Sequence, residues 1–343
     1  MAGNGDGAIE GTGMAPGTPS RALLASPAPL IDNPSAMGPG FVVTVIGDVR
    51  VDVVSALRGR RFAQMTQDHH EAAHVATAVG GTAMSFARAA AAHFCEVRVI
   101  AAIGDDQWSD TIWAAASELG VRACFEEKRS VANGLVIIVR DEPTPDNPGG
   151  VRLLLAQDPS PYDHLDVDLV RRRQDLIATS DALVIDGYAL LNDSSAAAVE
   201  LATQIAVEAG IPVSFDLVPH KIDERLPAWR IDPFLRRASL SIAEAPTLAR
   251  LLGLPPPEAP SLAYAASLAE RLPEPSACPG QTRFIRFGHG MMEETVAVGA
   301  GHPSVHYHTG YVRQTDGSGY GYRVAAAELK WWLADATSAL AVR

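Results

Sequence analysis

The residues best placed to do chemistry in this chain are aspartates and glycines that follow apolar, β-branched runs. GDVRVD (47–52) follows the run FVVTVI and ends on Asp52. A carboxylate there can accept two hydroxyl hydrogen bonds from a polar ligand at once. Taken alone, such a group is more often a turn or cap carboxylate. Gly80 and Gly81 open VGGTAMSFARAAAAH, and backbone amides at a helix N-terminus attract anions and oxygen-rich ligands. GLVIIVRD and GGVRLLLA form a hairpin-like pair, and TDGSGYGYRVAAAELKWWL (315–333) is a glycine-rich turn running into a helix. Such a turn can cradle phosphate. The histidines form two groups, His69, His70 and His74, then His306 and His308 on one strand face with His302 nearby. There is no HExxH and no carboxylate at a fitting offset, so they read as solvated surface groups rather than metal ligands.

Buried strands must position these groups. After FVVTVIGDV come apolar runs at 97–106, 134–139, 151–156, 182–188, 212–217 and 283–288. Ala-rich segments with helical spacing lie at 82–93, 109–120, 194–209 and 244–252. Alternating strand and helix predicts a three-layer α/β/α domain on a mostly parallel, doubly wound sheet, with ligands beyond the carboxyl ends of its strands. Segments 53–79 and 130–157 are strand-like without a helix, and are expected to pair as a small β lid. Residues 1–40, rich in Gly, Pro, Ala and Ser, read as a disordered tail, leaving 41–343 as the folded domain.

Composition excludes several functions. The chain has 343 residues, 47% apolar and 20% charged, with 28 Lys+Arg against 40 Asp+Glu and a net charge of −12. That balance argues against a nucleic-acid or anionic-lipid surface. Cys95, Cys124 and Cys278 are far apart with no CxxC, which gives neither a disulfide framework nor a thiolate zinc site. No stretch approaches a membrane span and no signal peptide is evident. A cytoplasmic protein is expected.

The order of these motifs resembles the ribokinase family, the PfkB carbohydrate kinases. Gly47 to Asp52 is similar to the family's opening GxxxxD, GGTAMSFA (80–87) to GGxxxNxA, and AAIGDDQWSD (101–110) to GxxGDDxxG. VRLLLAQD resembles the second lid edge, Asp186-Gly187-Tyr188 a strand ending in Gly-Tyr, and FDLVPHK (215–221) the aspartate strand followed by Pro and a basic residue. SIAE (241–244) stands at NxxE, RFGHG (286–290) at TLGxxG, and QTDGSGYGY (314–322) at DTTGAGDAF. The resemblance covers about residues 41 to 335. It implies an ATP-dependent kinase for a hydroxyl on a sugar, nucleoside or related metabolite. Asp52, Arg50, Gly80, Gly81 and Ser85 would stand on the substrate side. Gly317, Ser318 and Gly319 would form an anion cradle, and Glu244 would organise a hydrated magnesium. Lid segments often pair between subunits in this family, so a homodimer is implied.

The departures fall at the chemistry. Tyr320 stands where the family has its catalytic aspartate, and a phenol with a reference pKa of about 10 is a poor proton acceptor at neutral pH. Ser241 and Ser85 replace asparagines, and Arg50 stands where the family has another. A guanidinium at residue 50 points either to an anionic ligand or to internal pairing with Asp48 or Asp52. Asp316 is expected to cap the turn, and Asp216 is the candidate substitute base. Only 24 residues follow Gly319, which is expected to leave less wall for an adenine. Two functions follow: a kinase with altered or reduced catalysis, or a degenerate member that binds a small ligand or partner without phosphoryl transfer.

Overall fold

The computed structural model describes residues 24–25, 40–144, 150–218, 222–272, 281–288, 294–299, 304–309 and 319–341. Its elements begin with β1 (Leu24–Ala25), β2 (Val42–Ile46), β3 (Arg50–Ala56), β4 (His74–Gly80), α1 (Thr82–Ala90), β5 (Glu96–Ile103), α2 (Ser109–Glu118) and β6 (Arg122–Glu127). Next come β7 (Gly134–Arg140), β8 (Arg152–Ala156), α3 (Val167–Arg172), α4 (Gln174–Ala178), β9 (Ala182–Asp186), α5 (Asp193–Glu208) and β10 (Val213–Asp216). The remainder are α6 (Ala228–Arg237), β11 (Leu240–Glu244), α7 (Ala245–Leu251), α8 (Leu262–Arg271), β12 (Thr282–Phe287), β13 (Glu294–Gly299), β14 (Val305–His308) and α9 (Tyr320–Ala341).

The strands with unbroken apolar runs are the central ones. All five residues of β9 are buried, as is nearly every residue of β5. A strand covered on both faces needs this continuity rather than alternation. The main sheet runs β1-β14-β13-β12-β11-β10-β9-β2-β5-β6. Its pairs are parallel except β12 with β13 and β13 with β14.

Helices bury opposite sides of that sheet. Val43, Val99, Val184, Ile242 and Phe284 pack under α1, α2 and α9, while Ile100, Leu183, Ile185, Phe215 and Ile285 face α3 to α8. In α5 the inward stripe is Ala198, Val199, Ala202 and Ala206, the spacing of one helix face. Its start is fixed by Asn192, whose side chain accepts from the Ser194 amide at 2.8 Å. Satisfying that otherwise orphaned donor is what an N-cap residue does. The three-layer α/β/α architecture is the one expected.

Segments 53–79 and 130–157 supply strands of a second sheet, ordered β4-β3-β7-β8. It starts slightly earlier than expected, at Arg50, because Gly47 to Val49 carry the chain out of β2 and directly into β3. Within the presumed tail, Leu24 and Ala25 pair in parallel with Val305 and His306 of β14. An edge strand presents unpaired amide and carbonyl groups that even two residues can satisfy. No helix among the described residues is long and apolar enough to cross a membrane.

Candidate active site

Strand register assembles a row of ionisable groups at the carboxyl edge of the main sheet. Asp186, Asp216 and Ile242 are direct partners across β9, β10 and β11, so their side chains share one face. One step further along the strands, Glu244, Arg286, Thr295 and Tyr307 are partners across β11, β12, β13 and β14. Both rows lie on the face covered by α1 and α9. The resulting crevice is lined by Thr82 and Phe86 of α1, Asp186, Asp216, and Tyr322 and Ala325 of α9.

Each carboxyl in the crevice is shifted by its surroundings. Burial pushes Asp186 up to about 7, with the Thr82 hydroxyl and the Tyr188 amide opposing and the Asp216 charge adding to it. Burial likewise raises Asp216, against the pull of the Arg286 guanidinium and the Val218 amide, which donates to Oδ1 at 2.9 Å. Glu244 is raised by burial, again opposed by Arg286. Burial and the neighbouring aspartates raise Tyr322 well above the usual phenol range. The pocket therefore offers a neutral hydroxyl beside proton-seeking carboxyls.

Arg286 is the counter-charge. Its Nη2 donates to Oε2 of Glu328 at 3.0 Å, and Thr295 (3.2 Å) and Tyr307 (2.9 Å) donate to the other Glu328 oxygen. Burial works against the guanidinium charge, but Glu328, Asp216 and Glu244 together outweigh it and raise its pKa. Arg286 Nε is buried without a hydrogen-bond partner among the described residues. An added Cβ at Gly321 would come within 3.4 Å of Nη1, so the guanidinium lies directly beneath the first turn of α9.

At the start of β3, Arg50 pairs internally. Its Nε donates to Asp48 Oδ2, Nη1 to the Gln157 carbonyl at 3.2 Å and Nη2 to Ser160 Oγ at 3.2 Å. Of the internal partners raised by its sequence, Asp48 is the one it bonds. Asp52 lies over Gly80, where an added Cβ would overlap its carboxylate. Burial and the Asp48 charge push Asp52 up to about 6, with Arg88 and Arg50 opposing. Gly81, at φ +82, turns the chain into α1 so tightly that a Cβ would meet the Asp48 carbonyl. Only glycine tolerates both conditions. Ser85 sits half-buried one turn into α1, its amide bonded to the Gly81 carbonyl.

The helix α9 opens on an aromatic side chain. Tyr320 is buried, and its hydroxyl shares a hydrogen bond with Thr309 Oγ1. Gly319 precedes it at φ +75. Gly317, Ser318 and Asp316 lie outside the described residues. Ser241 is buried in β11 as the register partner of Phe215, on the sheet face opposite the crevice. Thr82, Tyr322, Arg286 and Glu328 were not anticipated from sequence. Only Arg286 had a local signal, a charged residue inside the apolar run RFIRFG.

A crevice beyond the carboxyl edge of a three-layer sheet, bordered by a small second sheet, defines the ribokinase-like class of fold. The profile described as pfkB family carbohydrate kinase matches residues 42–269. The chain belongs to that family. The match stops before β12 and α9, the part of the chain that carries Arg286, Tyr320 and Glu328. No curated protein matches in sequence. Among solved structures, ribokinase from Giardia lamblia is similar at 17% identity and TM-score 0.66, covering 88% of this chain and 89% of that one. Adenosine kinase from Sinorhizobium meliloti matches at 14% identity and TM-score 0.63, covering 84% and 88%. Fructokinase from Xylella fastidiosa matches at 14% and 0.58, covering 84% and 93%. At such identities the likeness is one of fold.

Proposed function

We propose that this chain phosphorylates a hydroxyl of a sugar, nucleoside or related small metabolite from ATP, with Asp216 rather than residue 320 accepting the proton. The observation that carries this reading is the Asp216 carboxyl in the crevice beside Arg286. Burial raises its basicity, and the Arg286 guanidinium opposes that rise. Asp52 holds the acceptor through its hydroxyls. The β3-β4-β7-β8 sheet acts as the lid that excludes water from the transfer. Glu244 offers the oxygen donor that suits hydrated magnesium, which when bound would neutralise phosphate charge. Arg286 places a second, permanent cation beneath the start of α9, where the charge of the transferring group develops.

A second reading has its own support. Among the described residues, the start of α9 presents a phenol engaged with Thr309 and no carboxylate. A crevice of this kind can bind a ligand without transfer.

ATP consumption across a panel of sugars and nucleosides separates the two, together with an equilibrium nucleotide titration. The first reading expects measurable turnover, a loss of about 10²–10⁴-fold in Asp216→Asn, the usual contribution of a general base, and little change in Tyr320→Phe. Turnover unaffected by Asp216→Asn would remove Asp216 from the mechanism. No nucleotide binding at millimolar concentration would leave the binding reading alone.

A further inference from the structure

The β13–β14 hairpin brings together three metal-ligating side chains on the sheet face turned away from the crevice. His306 and His308, two apart on β14, point to the same side, and Glu294 of β13 is the direct register partner of His308. Their ligand atoms all lie within 4.8 Å of one another. His306 Nε2 is 2.7 Å from Glu294 Oε2, and the two imidazole centroids are 5.7 Å apart. Phe287 closes one side, its ring centroid 5.7 Å from that of His306. Glu294 and His306 keep roughly a third of their side chains accessible, and His308 is exposed. An ion can therefore enter without opening the core, and water can complete its coordination.

We infer that Glu294, His306 and His308 bind a divalent transition ion of the zinc type. In one tautomer His306 Nε2 donates its own N–H to Glu294; in the other both atoms are acceptors, and a cation can join them. A cation also recruits the second imidazole, which a single proton cannot do. Two nitrogens and one oxygen form a donor set suited to zinc and unsuited to magnesium or calcium, which take oxygen ligands. The ion clips β13 to β14. On the opposite face of that hairpin, Thr295 and Tyr307 donate to Glu328, so the clip fixes the strands that hold the buried Arg286–Glu328 pair.

The test uses tag-free full-length protein stripped with chelator and titrated with zinc by calorimetry, then with cobalt by visible absorption. One equivalent of zinc should bind in the micromolar range or tighter, and thermal stability should rise with zinc but not with magnesium. His308→Ala, an exposed position, and Glu294→Gln should each weaken binding at least tenfold and abolish the cobalt spectrum while leaving circular dichroism unchanged. Absence of zinc binding at micromolar levels would overturn the inference. So would zinc affinity equal to wild type in both variants, an outcome that moves the ion to another site such as the His69, His70 and His74 segment.

Discussion

Among the buried carboxyls raised by their surroundings, Asp186 should contribute to how stability responds to pH near neutrality. It caps the turn after β9 by accepting from the Tyr188 amide at 2.8 Å, yet burial still raises it from 3.8 to about 7. Between those values the folded protein keeps a proton that the unfolded chain has released. Protons bound in excess by the native state make stability fall as pH rises, so the stabilisation is complete below about pH 4 and lost above about pH 7. Asp52, raised to about 6, acts in the same direction with a smaller span. Asp186→Asn keeps the acceptor for the Tyr188 amide and removes the titration. Denaturant melts should then show the variant up to about 4 kcal/mol more stable than wild type near pH 8, at 1.36 kcal/mol per pKa unit, and nearly equal to it near pH 4. An unchanged slope in the variant would assign the pH dependence to other groups.

Between elements, α9 is fastened to the sheet by charge inside an apolar layer. Glu328 is fully buried, and it pairs with Arg286 of β12, Thr295 of β13 and Tyr307 of β14. Removing one member of such a pair strands the other without solvent, a cost of about 3–5 kcal/mol. Glu328→Ala should therefore lower stability by that amount in chemical unfolding. The double variant Arg286→Met with Glu328→Leu should recover part of the loss, since an apolar pair of similar size removes both members of the ion pair while Asp216 and Glu244 lose their counter-charge. A double variant as unstable as the single one would mean that the network's shape, rather than its charge balance, holds α9.

At the scale of the whole molecule, the small sheet has two different faces. Arg50, Asp52 and Gly80 lie on one. On the other, the register aligns Val53, Ile137 and Leu155 in one row and Ser55, Val139, Leu153 and Val75 in the next. Val75 is 59% exposed, Ile137 43% and Leu155 53%. An apolar sheet face of this kind is normally covered by a partner. Light scattering should show a dimer, and Ile137→Glu combined with Leu155→Glu should give a monomer that retains its circular dichroism. A wild-type monomer at tens of micromolar would mean that the lid works alone.

How much of this was legible beforehand depends on how local each feature is. Unbroken apolar runs at 97–106 and 182–188 announced strands buried on both faces, and Ala-rich spacing announced the helices between them. Both follow from periodicities that a few consecutive residues express. Gly80 and Gly81 marked a close turn because no other residue fits there. Even Arg50 narrowed its partners to a carboxylate two residues away. By contrast, Glu328 is 42 residues from Arg286 and Glu294 is 12 from His306. No sequence offset predicts either meeting. The histidines have no carboxylate at a local offset because theirs arrives from the neighbouring strand, and the Tyr320 hydroxyl meets Thr309 across the segment before α9. Local pattern determined which elements form and which faces they bury. Strand register and the docking of α9 decided which charges meet, because those contacts are set by pairing between distant segments.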